Sequence, residues 1–243
     1  MSSEIEHIEY DRDINPYPSF GKKYNGEKAI ISMTSWKMRI NTVSKTIYSL
    51  IKQCSGFHIV LVLSEEEFPK MMDELPENLK LFAENELIEI LWVYKNYKSF
   101  KKVLFTMDKY CDVPVISADD DMQYRHNFAE ELFVIWNKNK TKIIGNRVHT
   151  KFGIHIHSGG CGVIYPPNCF KTEGFNFLKQ FDMSSSNDDM LYALLAKKLN
   201  IDDSYTRKDD RCLTYQQAYI SMRATQQYND EQNFAIYNRL VFE

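Results

Sequence analysis

Apolar residues along this chain alternate between two rhythms. Short runs rich in β-branched residues, at 29–33 (AIISM), 58–63 (HIVLVL), 87–93 (LIEILWV) and 113–116 (VPVI), read as strands buried on both faces. Between them lie segments at helical spacing. Val43, Ile47, Leu50 and Ile51 mark a helix over 42–53, with Asn41 or Thr42 as its cap, and Val103, Leu104 and Met107 mark another over 99–110. Ser64 with three following glutamates reads as a further helix start, ended before Pro76. Residues 127–137 and 190–199 read as helices, and 142–148 (KIIGNRV) as one more strand. Such alternation predicts an α/β fold with a mostly parallel sheet flanked by helices, in a single domain. Residues 1–28 are polar and rich in Pro and Gly and read as an N-terminal arm; the body spans 29–203, and 204–243 form a C-terminal extension that packs on or closes the site.

The fourth predicted strand breaks off in three carboxylates, Asp119, Asp120 and Asp121. Their mutual repulsion is tolerable only where water or a cation offsets it. In extended chain Asp119 and Asp121 face one side while Asp120 points away, and two carboxylates aimed together suit a hard divalent ion such as Mg²⁺ or Mn²⁺. The plainer reading is a solvated acidic turn. Position favours the ion, because ligands of open α/β sheets bind beyond the carboxyl ends of the strands.

Composition narrows the possibilities. The chain has 243 residues, 44% hydrophobic and 26% charged, enough for a full core. A net charge of -3 offers no basic surface for a nucleic acid. Five scattered cysteines without CxxC spacing argue against a disulfide framework or a thiolate zinc site. No run reaches the roughly 18 apolar residues of a membrane span, so the expectation is a cytoplasmic protein without a transmembrane segment. Its 15 Tyr and 15 Phe could line a ligand pocket.

Two further stretches carry candidate chemistry. Glycines in 158–162 (SGGCG) permit either a close backbone approach to a ligand or simply a tight turn. Residues 184–189 (SSSNDD) lead into the helix over 190–199, where caps and early acids need no chemistry, although two acids exceed what a cap requires. His155 and His157 share one side of a strand, but most histidines bind no metal, and neither is assigned as a ligand.

Taken together, ISMTSWKMRI, NYKSFKK, SADDDMQY, GGCGVIYPP and NDDMLYALLAKKL, in this order over about residues 29–201, resemble a GT-A type (Rossmann-like) glycosyltransferase with a DxD motif. The likeness is greatest to bacterial enzymes that build capsular and other surface polysaccharides. It implies a metal-dependent, hexosyltransferase-like enzyme that moves a sugar from a nucleotide-diphosphate sugar to a hydroxyl of a saccharide or lipid-linked saccharide, with inversion. A lipid-linked acceptor would bring the protein to the inner face of the membrane as a peripheral partner. By the same resemblance Thr34, Trp36, Arg39 and Lys102 contact the donor nucleotide. Asp119 and Asp120 belong to the nucleotide-sugar site, Asp119 serving the ribose or metal shell and Asp120 sitting between its neighbours; Asp119 and Asp121 hold Mn²⁺ or Mg²⁺, Gly159 and Gly160 border the donor sugar, and Asp189 or Asp188 is the catalytic base. Lys102 could equally be a solvated helix lysine and Arg39 the partner of a surface acid.

Other classes fit less well. A nucleotidyltransferase would follow its first strand with a glycine-rich loop, yet no glycine occurs between Met33 and Gly56. A haloacid dehalogenase phosphatase would end its first strand, not a later one, in DxD. A binding module without turnover would have no use for both Asp188 and Asp189.

Overall fold

The computed structural model describes residues 17–53, 55–170, 173–183, 185–206, 212–214 and 229–242. The first sixteen residues of the expected arm, and half of the extension expected to close the site, lie outside them.

Strands β1 (Ser19–Gly21), β2 (Ala29–Thr34), β3 (Phe57–Ser64), β4 (Glu89–Val93), β5 (Val115–Asp119), β7 (Ile143–Gly145), β10 (Val163–Tyr165) and β11 (Asp203–Tyr205) form one sheet in the order β1-β4-β3-β2-β5-β10-β7-β11. The four central strands β4, β3, β2 and β5 run parallel. β10 is antiparallel to both β5 and β7. Two pairs stand apart: β8 (Val148–Lys151) with β9 (Ile154–His157), and β6 (Met122–Tyr124) with β12 (Cys212–Thr214).

Period-two alternation within the central strands serves two cores. Ile31, Met33, Leu61, Leu63 and Trp92 face α1 (Val43–Ile51), α2 (Glu77–Glu84) and α4 (Phe128–Trp136). Ile30, Val60, Val62, Leu91 and Val93 face α3 (Lys101–Lys109), α5 (Glu173–Leu178), α6 (Asp188–Lys198) and the last helix, α7 (Asp230–Phe242). Helices on both faces explain why these strands carry unbroken apolar runs. The expected α/β architecture is therefore observed.

Topology places the site. From β2 the chain builds outward through β3 and β4, then returns through α3 to lay β5 on the other side of β2. This is a switch point, where a crevice opens beyond the strand ends. Thr34 and Asp119, the last residues of β2 and β5, are paired across it.

Three local expectations are corrected. Ser64 ends β3 and does not cap a helix; Glu65, Glu66 and Glu67 form a turn closed by the Phe68 N–H on the Ser64 carbonyl at 3.0 Å, and Pro69 prevents its continuation. Helix α2 starts only after Pro76, which opens this helix rather than merely breaking one. The single strand expected over 142–148 divides into β7 and β8 at Asn146, whose N–H and side-chain amide go to the carbonyls of Gly162 and Cys161, both at 3.0 Å. β1, inside the expected arm, went unpredicted.

At the end of the sheet away from the site, Glu89 is buried among His58 Nε2 at 2.7 Å, Lys109 Nζ at 2.5 Å and the Tyr110 hydroxyl. Burial opposes its charge, and these donors outweigh burial and hold the carboxyl at about 2, down from an ordinary 4.5. A depressed carboxyl stabilises the fold above its unfolded value, and that stability is lost as pH falls through the folded one. Unfolding measured against pH is thus expected to show the parent losing about 3 kcal/mol from this group between pH 4.5 and 2. Glu89→Gln should be weaker at neutral pH and lose about 3 kcal/mol less than the parent over that interval. Parallel curves for the two proteins would refute this role.

Candidate active site

The acid triplet leaves β5 at the switch point, and its three carboxylates go to different partners. Asp120 turns into the protein. The Ser35 hydroxyl donates to its Oδ2 at 2.6 Å and Arg39 Nη2 lies 3.0 Å from Oδ1. Burial pushes its carboxyl up to about 6 against the pull of Arg39 and Ser35. Asp121 is partly exposed and takes Arg39 Nη1 at 2.6 Å. Arg39 thus clamps two members of the triplet from the loop after β2, which makes it the partner of an acid, although the acid belongs to the site. Asp119, the most exposed of the three, receives Lys102 Nζ at 2.6 Å.

Lys102 is not a solvated helix lysine. Its side chain is 4% exposed, and its ammonium also pairs with Asp188 Oδ2 at 3.0 Å. Burial works against its charge, and Asp119, Asp188 and Asp189 more than reverse this, holding it well above the ordinary lysine value. Asp188 and Asp189 open α6, yet neither caps it: the Asn187 side chain does so, accepting the Asp189 N–H at 3.0 Å. The acids are engaged elsewhere, Asp188 with Lys102 and Asp189 with the Gly159 N–H at 3.0 Å. Burial, then the neighbouring charge of Asp188, raises Asp189 well above the usual carboxylate range despite Lys102.

Gly159 and Gly160 lie in a 3₁₀ turn between β9 and β10. Neither has the left-handed backbone that favours glycine, so the requirement is space. A Cβ on Gly159 would stand 2.8 Å from Asp189 Oδ1, and one on Gly160 2.4 Å from Asp119 Oδ2. Sequence reasoning missed the groups that fasten this turn. The Tyr124 hydroxyl accepts the Asp119 N–H at 2.8 Å and donates to the Gly160 carbonyl at 2.7 Å. Ser117 donates to the Gly159 carbonyl at 3.0 Å. Their only signal was adjacency to the triplet.

Of the other expected residues, Thr34 spends its hydroxyl proton on the Val62 carbonyl at 2.7 Å. Trp36 Nε1 and Arg39 Nε are buried without hydrogen-bond partners, donors that native proteins rarely leave unmet. Lys101, also unanticipated, is buried beside Asn96 Oδ1 at 2.6 Å and lowered by burial to about 8. His155 and His157 do share a side, and both hold Asp203 Oδ2, at 3.0 and 2.9 Å.

Among the described residues no three His, Cys, Asp or Glu side chains form a set able to hold a metal ion. The pair Asp119 and Asp121 nonetheless fits a hard divalent ion of the kind that takes one or two carboxylates and completes its shell with phosphate oxygens. Burial and the charge of Asp119 raise Asp121, a strain that a cation would relieve.

No protein-family model matches this chain, and no curated protein does. Solved structures share its fold. S. aureus TarS 1-349 in complex with UDP-GlcNAc superposes with a TM-score of 0.60 at 12% identity, covering 88% of this chain and 65% of that one. The mannosyltransferase PcManGT from Pyrobaculum calidifontis, in complex with GDP-Man and Mn²⁺, gives 0.53 at 12% identity, covering 82% and 60%. The chain thus spans less than two thirds of either structure. These likenesses establish a GT-A type fold, a mixed α/β sheet of the kind found in glycosyltransferases. No helix among the described residues is long and apolar enough to cross a membrane.

The packing of Gly160 on Asp119 gives a direct test. Gly160→Ala is expected to cost about 1–3 kcal/mol by overpacking, and less in an Asp119→Ala background, where the opposing side chain is gone. A double-mutant cycle by urea unfolding should show coupling of about 1 kcal/mol. Strict additivity would sink the assignment.

Proposed function

We propose that this protein is a metal-dependent glycosyltransferase that moves a sugar from a nucleotide-diphosphate donor to a saccharide or lipid-linked saccharide hydroxyl, with inversion, in surface polysaccharide synthesis at the cytoplasmic side of the membrane. One observation carries the reading: buried Lys102 joins Asp119, at the end of the acid strand, to Asp188, at the start of α6, so two carboxylate groups of different character face one crevice. The shared fold with proteins solved with UDP-GlcNAc and GDP-Man supports it.

The roles follow from the chemistry. Asp119 and Asp121 would hold Mn²⁺ or Mg²⁺, which when bound offsets the charge that builds on a departing diphosphate. Trp36 Nε1 and Arg39 Nε would gain acceptors from the nucleotide, and Thr34 keeps its oxygen as an acceptor toward it. Asp120, pinned by Ser35 and Arg39, positions the loop after β2 rather than touching the donor directly. Lys102 keeps Asp119 in place, and Gly159 and Gly160 leave room for the Asp189 and Asp119 carboxylates that would border the donor sugar. The acceptor hydroxyl is too weak an acid to attack unaided, so a carboxylate takes its proton as the new bond forms. Asp189 suits that task better than Asp188. Asp188 is held in an ion pair by Lys102 Nζ, whereas Asp189 meets a backbone N–H.

Calorimetry with UDP- and GDP-sugars, with and without Mn²⁺, followed by a nucleoside-diphosphate release assay, tests this. Asp121→Asn should lose metal-dependent donor affinity by tenfold or more. Asp189→Asn should bind donor within about twofold of the parent and lose transfer by about 10²–10⁴. Donor affinity in Asp121→Asn equal to the parent's would remove the metal site from the reading.

A further inference from the structure

A cavity of about 330 Å³ runs along α6 between the β8–β9 hairpin and β11, and Asp189 forms part of its wall. Its size falls in the range that holds a small ligand. Tyr165 and Tyr192, ring centroids 5.8 Å apart, contribute an aromatic wall. Ala193 and Ala196 keep the helix side open. His155, Lys197, Asn200 and Asp203 supply donors and acceptors of both signs. The Asp203 carboxylate fixes the two imidazoles, so this polar wall is preorganised.

Aromatic wall on one side and mixed hydrogen-bonding groups on another is the chemistry that recognises a saccharide unit: its C–H face lies on a ring, and its hydroxyls reach the polar groups. A lone phosphate would be poorly served beside Asp189, Asp202 and Asp203. Placement adds to this. Asp189 takes the Gly159 N–H, and the next residue, Gly160, abuts Asp119. Two residues of backbone therefore separate the cavity from the acid triplet.

We infer that the cavity holds the terminal saccharide unit of the acceptor and presents one of its hydroxyls to Asp189. The inference rests on the glycosyltransferase reading. In the step, the hydroxyl proton passes to the Asp189 carboxylate as its oxygen bonds to the anomeric carbon. The bond from that carbon to the diphosphate breaks, its electron pair leaving with the nucleoside diphosphate.

The test uses the full chain, a nucleotide sugar found by calorimetry, and a panel of methyl hexosides as acceptors. Ala193→Phe fills the cavity, and His155→Ala, a partly exposed position, removes one polar contact with little demand on the fold. Both should keep donor affinity within about twofold and raise the KM of the hexoside that stimulates nucleoside-diphosphate release by tenfold or more. A hexoside KM unchanged in both folded variants, or a parent that binds donor but responds to no hexoside, overturns the cavity assignment alone. A parent that binds no nucleotide sugar overturns the underlying reading as well.

Discussion

The buried ammonium of Lys102 is the constraint on which the arrangement of the site depends. A lysine removed from water costs several kcal/mol unless carboxylates surround it, and here they come from two elements far apart in sequence, the end of β5 and the start of α6. Helix α3 delivers the lysine because its other buried residues, Val103, Leu104, Phe105 and Met107, anchor it to the sheet, while Thr106 bonds the Ser32 hydroxyl at 2.7 Å. The hydrophobic packing of α3 and the electrostatics of the crevice are thus one construction. A shift of α3 would cost core contacts and leave two acids without their cation.

The triplet shows how three adjacent carboxylates can persist without collapsing into one protonated cluster. They are divided among cations: Asp119 goes to Lys102, while Asp120 and Asp121 share Arg39. Asp120, the most buried, is the one whose carboxyl rises to about 6. Asp119 and Asp121 stay nearer the surface.

Much of this was legible in sequence, and the reasons for the misses are physical. The central strands announce themselves because both faces are covered, so every residue of β3 is buried and apolar runs survive unbroken. The triplet was legible as an abrupt change from β-branched residues to charge. β1 was not, because three residues that follow Pro18 and end in Gly21 have meaning only through their pairing with β4. The glutamates after Ser64 carried the composition of a helix start with no apolar spacing behind it, and Pro69 decided the outcome. Tandem Lys101 and Lys102 look alike in sequence, yet one turns to Asn96 and the other to the acids, a difference set by tertiary packing.

Distinguishing the two acids of α6 also needed the structure. As neighbours at a helix start they are equivalent by sequence, and either could have been spent on capping. Asn187 takes the cap, Lys102 takes Asp188, and Asp189 is left with a backbone N–H and the repulsion of its neighbour. Burial and the adjacent charge of Asp188 raise the Asp189 carboxyl, and Lys102 pulls the other way without cancelling them. On the proposed reading Asp189, set between the glycine turn and the cavity along α6, takes the proton of the acceptor hydroxyl. The asymmetry of the pair, more than the presence of two acids, is what separates this site from an acidic helix terminus.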